Sequence, residues 1–127
     1  MQDTDSIYRE ELMEHYRNPS NRGSLANPTL TITEKNPMCG DVLTLQATIS
    51  DDTIMDIKFD GEACAVCIAA ASVLTDEVKG KTLKAAKEFD KDKLLEALGV
   101  NLTTSRIKCA TLSLEALAEM TKIYENR

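Results

Sequence analysis

Residues 42–59 constrain the fold of this chain more than any other stretch. Val42, Thr44, Gln46 and Thr48 alternate in phase against Leu43, Leu45, Ala47 and Ile49, and a second β-like run occupies residues 53–59. A period of two is what a strand shows when one of its faces is apolar. Asp51-Asp52 stands between the runs as a tight acidic turn, which predicts an antiparallel hairpin of residues 42–50 and 53–59. A third β candidate, residues 30–34, precedes them. Most of the rest reads as helix. Residues 3–17 carry Tyr8, Leu12 and Tyr16 at four-residue spacing behind Asp3 or Asp5 as a cap, and Asn18-Pro19 stops them. Residues 18–28, NPSNRGSLANP, are a connecting loop rich in turn residues. From Ala63 small residues signal a helix that Gly80 ends, and Asp90 caps a short helix closed by Gly99. Residues 105–125 carry Ile107, Ala110, Leu114, Leu117, Thr121 and Tyr124 at alternating spacings of three and four. One helix, three strands and then helices give an α+β fold, a three-stranded antiparallel sheet packed by helices on one face.

No internal repeat or long linker divides the chain, and 127 residues at 14.0 kDa are the size of one domain, residues 1–127. Such a chain buries about two-thirds of its unfolded surface and needs no disulfide staple. Trp is absent, and two Phe and three Tyr leave the core to aliphatic residues and make base-stacking platforms an unexpected use of this fold. The net charge of -6 disfavours nucleic acid and anionic lipid as partners. The opening MQDTDSIYREEL has no basic n-region and no apolar run, and no stretch reaches the length of a membrane helix, so the expectation is a cytoplasmic protein without a signal peptide. In that reducing compartment four cysteines point to metal binding or sulfur chemistry rather than disulfides.

Cys39, Cys64, Cys67 and Cys109 carry the chemistry of the sequence. Cys39 sits in NPMCGD, a turn where Gly40 lets the backbone approach a ligand and Asp41 adds a carboxylate. Cys64 is expected at the start of a helix and Cys109, in SRIKCATL, in the first turns of the last one; a helix N-terminus favours the thiolate. With one histidine in the chain, a paired-histidine site is excluded, and His15 in EHYRNP reads as a surface or loop-packing residue. The remaining donors are three thiols and one carboxylate with Cys67 in reserve, a set that suits Zn²⁺ or an iron-sulfur cluster. Cys64-Ala-Val-Cys67 also has thioredoxin-like spacing, but Pro19, Pro28 and Pro37 all precede it, leaving no later proline to face the pair. Cys67 fits better as a small core residue among Ile68, Ala69, Ala70 and Ala71.

Four segments together resemble the IscU/SufU family of iron-sulfur cluster assembly scaffolds, also found as the N-terminal part of NifU. IYREELMEHYRNPSNRG is similar to the family's opening helix and loop, NPMCGD to its first ligand loop, FDGEACAVCIAAAS to its second and RIKCATLSLEAL to its third. The resemblance implies that Cys39, Asp41, Cys64 and Cys109 bind the metal or cluster. It implies that a cysteine desulfurase is the sulfur donor and apo-iron-sulfur proteins the recipients, with a homodimer around a cluster as a possible assembly. Lys108 stands where IscU-type members carry His, and its charge beside Cys109 favours the thiolate. Cys67 is extra to the family pattern, a spare ligand or sulfur relay if it is not core. GEAC and RIKCATL resemble the SufU type, whereas the 29 positions from Gly80 to Cys109 are short, as in IscU, and NLTTSR replaces the chaperone-recognition motif of the IscU type.

Three functions follow as expectations. In the first, the chain is a scaffold on which iron and desulfurase-derived sulfur form a 2Fe-2S cluster that is passed on, with Cys39 or Cys109 as persulfide acceptor. In the second, the same ligands hold Zn²⁺ and the chain is a sulfurtransferase acting with the desulfurase. The third is a structural zinc module.

Overall fold

The computed structural model describes residues 2–37, 40–99 and 102–127. Three strands, β1 (Leu30–Asn36), β2 (Asp41–Ser50) and β3 (Thr53–Glu62), pair antiparallel in the order β1-β2-β3. Asp51 and Asp52 take φ of 51° and 59°, the doubly left-handed two-residue turn that matches strand twist. Ile32, Leu45 and Phe59 stand side by side across the register and are buried, with Leu43, Ala47 and Ile57 on the same face. A bulge between Thr48 and Ile49 shifts the phase, so that Ile49 meets Ile54 and both stay on the apolar side. The opposite face is polar: Thr33 and Thr44 share a 2.9 Å hydroxyl bond, and Gln46 Nε2 donates to Thr31 Oγ1.

Among the described residues six helices follow the expected order: α1 (Gln2–Arg17) before the sheet, then α2 (Ala65–Val78), α3 (Leu83–Lys87), α4 (Lys91–Leu98), α5 (Thr104–Ala110) and α6 (Leu112–Glu125). α2 and α6 cover the apolar face of the sheet and form the main core with it. α2 is apolar nearly all round because it is buried on both sides. Against its outer side α1, α4 and α5 build a second core from Leu12, Ala69, Ala70, Leu94, Leu98 and Ala110. The fold is therefore the α+β arrangement expected from the alternation, with every helix on one side of the sheet. Among the described residues no helix is long and apolar enough to cross a membrane.

Three local readings are corrected. α1 starts at Gln2, so Asp3 and Asp5 lie inside it rather than capping it, and the Tyr8 side chain lies outside the described residues. The single helix expected over residues 105–125 is two helices meeting at Thr111, whose φ of -87° and ψ of 0° depart from the α ladder. Thr111 Oγ1 donates to the Lys108 carbonyl at 3.3 Å, the back-bonding by which a helical Thr bends its own backbone. The strands also run further than the alternation suggested: Lys35 and Asn36 pair with Val42 and Asp41, so Asp41 is the first residue of β2 and not part of a loose turn.

The loop of residues 18–28 is tied down at many points. Gly23 N–H donates to Phe59 O at 2.9 Å and Phe59 N–H to Asn21 O at 3.0 Å, so the chain covers the outer edge of β3. Asn21 takes φ of 64° and its Nδ2 donates to Thr75 Oγ1 at 3.0 Å. Ser72 Oγ, buried in α2, accepts Ser20 N–H at 2.8 Å and lies 2.9 Å from His15 Nδ1. His15 thus joins α1, loop and α2, the packing role expected of it.

Candidate metal centre

Three side chains from three separate elements converge where the ends of β2 and β3 meet α2 and α5. A ligand atom each of Asp41, Cys64 and Cys109 lies within 4.8 Å of the other two. Ligands around one tetrahedral ion, at about 2.0–2.3 Å from it, stand about 3.3–3.8 Å apart, so a contraction of no more than about 1.5 Å would close the three on a common centre.

Each position has a local cause. Cys64 is the N-cap of α2, with φ of -69° and ψ of 166°, because the β3 strand ends two residues earlier and the small-residue helix begins at Ala65. Cys64 makes no side-chain cap bond there, so its sulfur is not spent on the helix N-terminus beside it. Asp41 is 3% exposed; its Oδ1 accepts Cys64 N–H at 3.0 Å, while Oδ2 has no hydrogen-bond partner among the described residues. A buried carboxylate oxygen is normally satisfied, and one left open beside two thiols fits a cation that completes it. Cys109 is fully buried, whereas Cys64 is partly exposed and forms the accessible side.

Cys109 does not lie in the first turns of a helix. α5 begins at Thr104 behind the cap Thr103, so Cys109 falls in its last turn, and of the two cysteines only Cys64 stands at a helix N-terminus. Lys108 is exposed, about 100° round the helix from Cys109. Cys67 is fully buried in the main core and is not among the converging residues, in keeping with a packing role. Cys39, the fourth expected donor, lies outside the described residues. The strand pair that flanks it is described: Asn36 pairs with Asp41, and Gly40, at φ of 74°, donates its N–H to Asn36 O at 2.8 Å.

Arg22, Asp60 and Gly61, which the sequence reading did not single out, brace the end of β3 just before Cys64. Arg22 Nε donates to Asp60 Oδ1 at 3.1 Å and its Nη2 to Gly61 O at 2.9 Å, and Asp60 Oδ1 also accepts Gly61 N–H at 2.8 Å. The Gly61 N–H, and after it the Arg22 guanidinium, hold the Asp60 carboxyl below its ordinary value.

Residues 7–127 match the family model of the NifU-like N terminal domain. The chain is 40% identical to the zinc-dependent sulfurtransferase SufU of Bacillus subtilis, covering 89% of this chain and 88% of that one. It is 36% identical to the iron-sulfur cluster assembly scaffold protein IscU 1 of Archaeoglobus fulgidus over 87% of this chain and 72% of the relative, and 32% identical to IscU of Escherichia coli K12 over 94% and 95%. Among solved structures, a putative iron-sulfur cluster assembly scaffold protein for the SUF system from Fervidobacterium islandicum superposes with a TM-score of 0.77 at 26% identity, covering 91% of this chain and 97% of that one. With the fold, the converging donors and these likenesses in agreement, the chain belongs to the NifU-like N terminal domain family.

Proposed function

We propose that this chain is an iron-sulfur cluster assembly scaffold acting as one domain. Iron and a 2Fe-2S cluster are its cargo, held by Asp41, Cys64 and Cys109 with Cys39 as the fourth donor. The observation that carries this reading is the Oδ2 of buried Asp41, which no described residue satisfies, beside the two thiols. A carboxylate is a hard donor among soft thiolates and holds a cluster iron less firmly than sulfur does, which suits a site that must let its cargo go. A closed structural zinc site is better built from four thiolates, so the structural-module reading is the weakest of the three. Sulfur enters by exchange with the persulfide of a cysteine desulfurase: a scaffold thiolate attacks the outer sulfur, forms its own persulfide and releases the desulfurase thiolate. Cys64, partly exposed at a helix N-terminus, joins Cys39 as a candidate acceptor, whereas Cys109, fully buried in the last turn of α5, suits that role less than its sequence position suggested. Recipient apoproteins then take the cluster.

A second reading, a zinc-dependent sulfurtransferase, is favoured by the 40% identity to SufU of Bacillus subtilis. Against it, the alignment runs over 131 positions, more than this chain has residues, so the relative carries residues without a counterpart here. Anaerobic purification with metal analysis, followed by desulfurase, cysteine and ferrous iron, separates the two. The scaffold develops a thiolate-to-iron charge-transfer spectrum and hands its cluster to an apo-ferredoxin. About one zinc per chain that resists exchange, with desulfurase turnover stimulated and no cluster formed, establishes the sulfurtransferase instead.

A further inference from the structure

We propose that Gly61 is a positioning residue that sets the distance between Asp41 and Cys64, and that Arg22 fixes its conformation; this rests on the reading of Asp41 and Cys64 as ligands. An ideal Cβ built on Gly61 falls 2.1 Å from the Val42 carbonyl oxygen and 3.0 Å from both Val42 C and Leu43 Cα. All three are backbone atoms, so no side chain can turn aside to make room. The φ of 154° at Gly61 adds strain for any L side chain.

The contact lies where the β2–β3 pairing brings together the strand ends that carry Asp41 and lead to Cys64. Gly61 pairs with Leu43, which is fully buried and cannot move inward. Asp41 is two residues before Leu43, and Cys64 is three residues after Gly61. A side chain at position 61 therefore pushes the first residues of β2 from the last of β3, parting the two strand ends that the 3.0 Å bond from Cys64 N–H to Asp41 Oδ1 joins. The absence of a Cβ lets the ends close and brings the carboxylate to the thiols.

Arg22 completes the device. It grips the Gly61 carbonyl and the Asp60 carboxylate together, while that carboxylate accepts the Gly61 N–H. The residues on either side of Arg22 are bonded to both backbone groups of Phe59, so the guanidinium is carried on a fixed loop. This gives the NPSNRG loop a task at the metal centre although it supplies no ligand: it holds the strand end from which Cys64 is delivered.

The test is anaerobic Co²⁺ titration of the full chain, read by the thiolate-to-cobalt band and the ligand-field bands. The variants are Gly61→Ala, Arg22→Gln and, as control, Gly80→Ala. Gly80 also has positive φ, at 83°, but a Cβ there meets nothing within 4 Å, so its substitution strains the backbone away from the metal centre. The proposal expects Gly61→Ala to lower Co²⁺ affinity by roughly 10-fold or more and to change the ligand-field bands, as loss of outer-sphere support does elsewhere. Arg22→Gln keeps the glycine, lowers affinity at least roughly threefold, and decides the matter should Gly61→Ala fail to fold. Gly80→Ala loses thermal stability but keeps the wild-type bands and affinity. A folded Gly61→Ala chain, or an Arg22→Gln chain, with wild-type affinity and bands overturns the proposal. A wild-type chain without a thiolate-to-cobalt band overturns the ligand reading beneath it, a result distinct from both.

Discussion

Replacing Asp41 with alanine tests whether this carboxylate serves the metal or the fold. The change removes the acceptor of the Cys64 N–H bond, and with it a buried oxygen that no described residue satisfies. A hydrogen bond to a charged group contributes about 1.5–3 kcal/mol, and a buried unsatisfied polar atom costs about 1–3 kcal/mol. The two effects oppose each other, so the metal-free chain should change in stability by no more than about 2 kcal/mol in either direction. The metal-bound chain behaves differently. If one of four donors is lost and affinity falls about tenfold, the stabilisation by excess metal drops by about 1.4 kcal/mol. Urea unfolding of wild type and Asp41→Ala, each with and without excess Zn²⁺, separates the two quantities. A variant that loses more than about 3 kcal/mol without metal, yet gains as much from zinc as the wild type, would show that Asp41 is a structural acceptor and refute the argument.

Further outcomes follow from the same contacts. Asp41→Ala should also hold an assembled cluster longer and transfer it more slowly to an acceptor, because a purely sulfur-ligated cluster dissociates less readily; faster transfer contradicts the lability argument. Cys64→Ala and Cys109→Ala should each abolish metal binding, whereas Cys67→Ala, a truncation in the main core, should cost about 1 kcal/mol and leave metal content intact. Ser72→Ala strands Ser20 N–H and the His15 ring, and should cost about 1–3 kcal/mol in urea unfolding without altering metal affinity. Asp60 has a folded pKa below its ordinary 3.8, so its contribution is present above that value and fades as pH falls through the lower one. The side chain is largely exposed, so Asp60→Asn should flatten the acid limb of the stability curve by only a few tenths of a kcal/mol.

The sheet was legible because alternation is a local property: Leu43, Leu45, Ala47 and Ile49 announce their shared face within one strand, and Asp51-Asp52 announces the turn. The Cys64 position was legible for the same reason, as a strand end followed by small residues. What the sequence hid were contacts between distant residues. Nothing in NPSNRG indicates that Asn21 reaches Thr75 or that Arg22 holds Gly61, partners 54 and 39 residues away. The break at Thr111 was hidden because the spacing of three and four continues across it, while one hydroxyl bond to Lys108 O bends the helix and leaves Cys109 in a last turn rather than a first. Nothing in the sequence set Gly61 apart, and only the register with Leu43 reveals its steric role.

The most direct test of the central claim is the Mössbauer spectrum of the chain reconstituted anaerobically with ⁵⁷Fe, cysteine and a cysteine desulfurase. Cargo held by Cys39, Asp41, Cys64 and Cys109 places oxygen on one iron of a 2Fe-2S cluster and sulfur alone on the other. The account therefore predicts two unequal ferric doublets, which Asp41→Ala alters at one site only. Iron that stays wholly ferrous beside a full complement of retained zinc contradicts it.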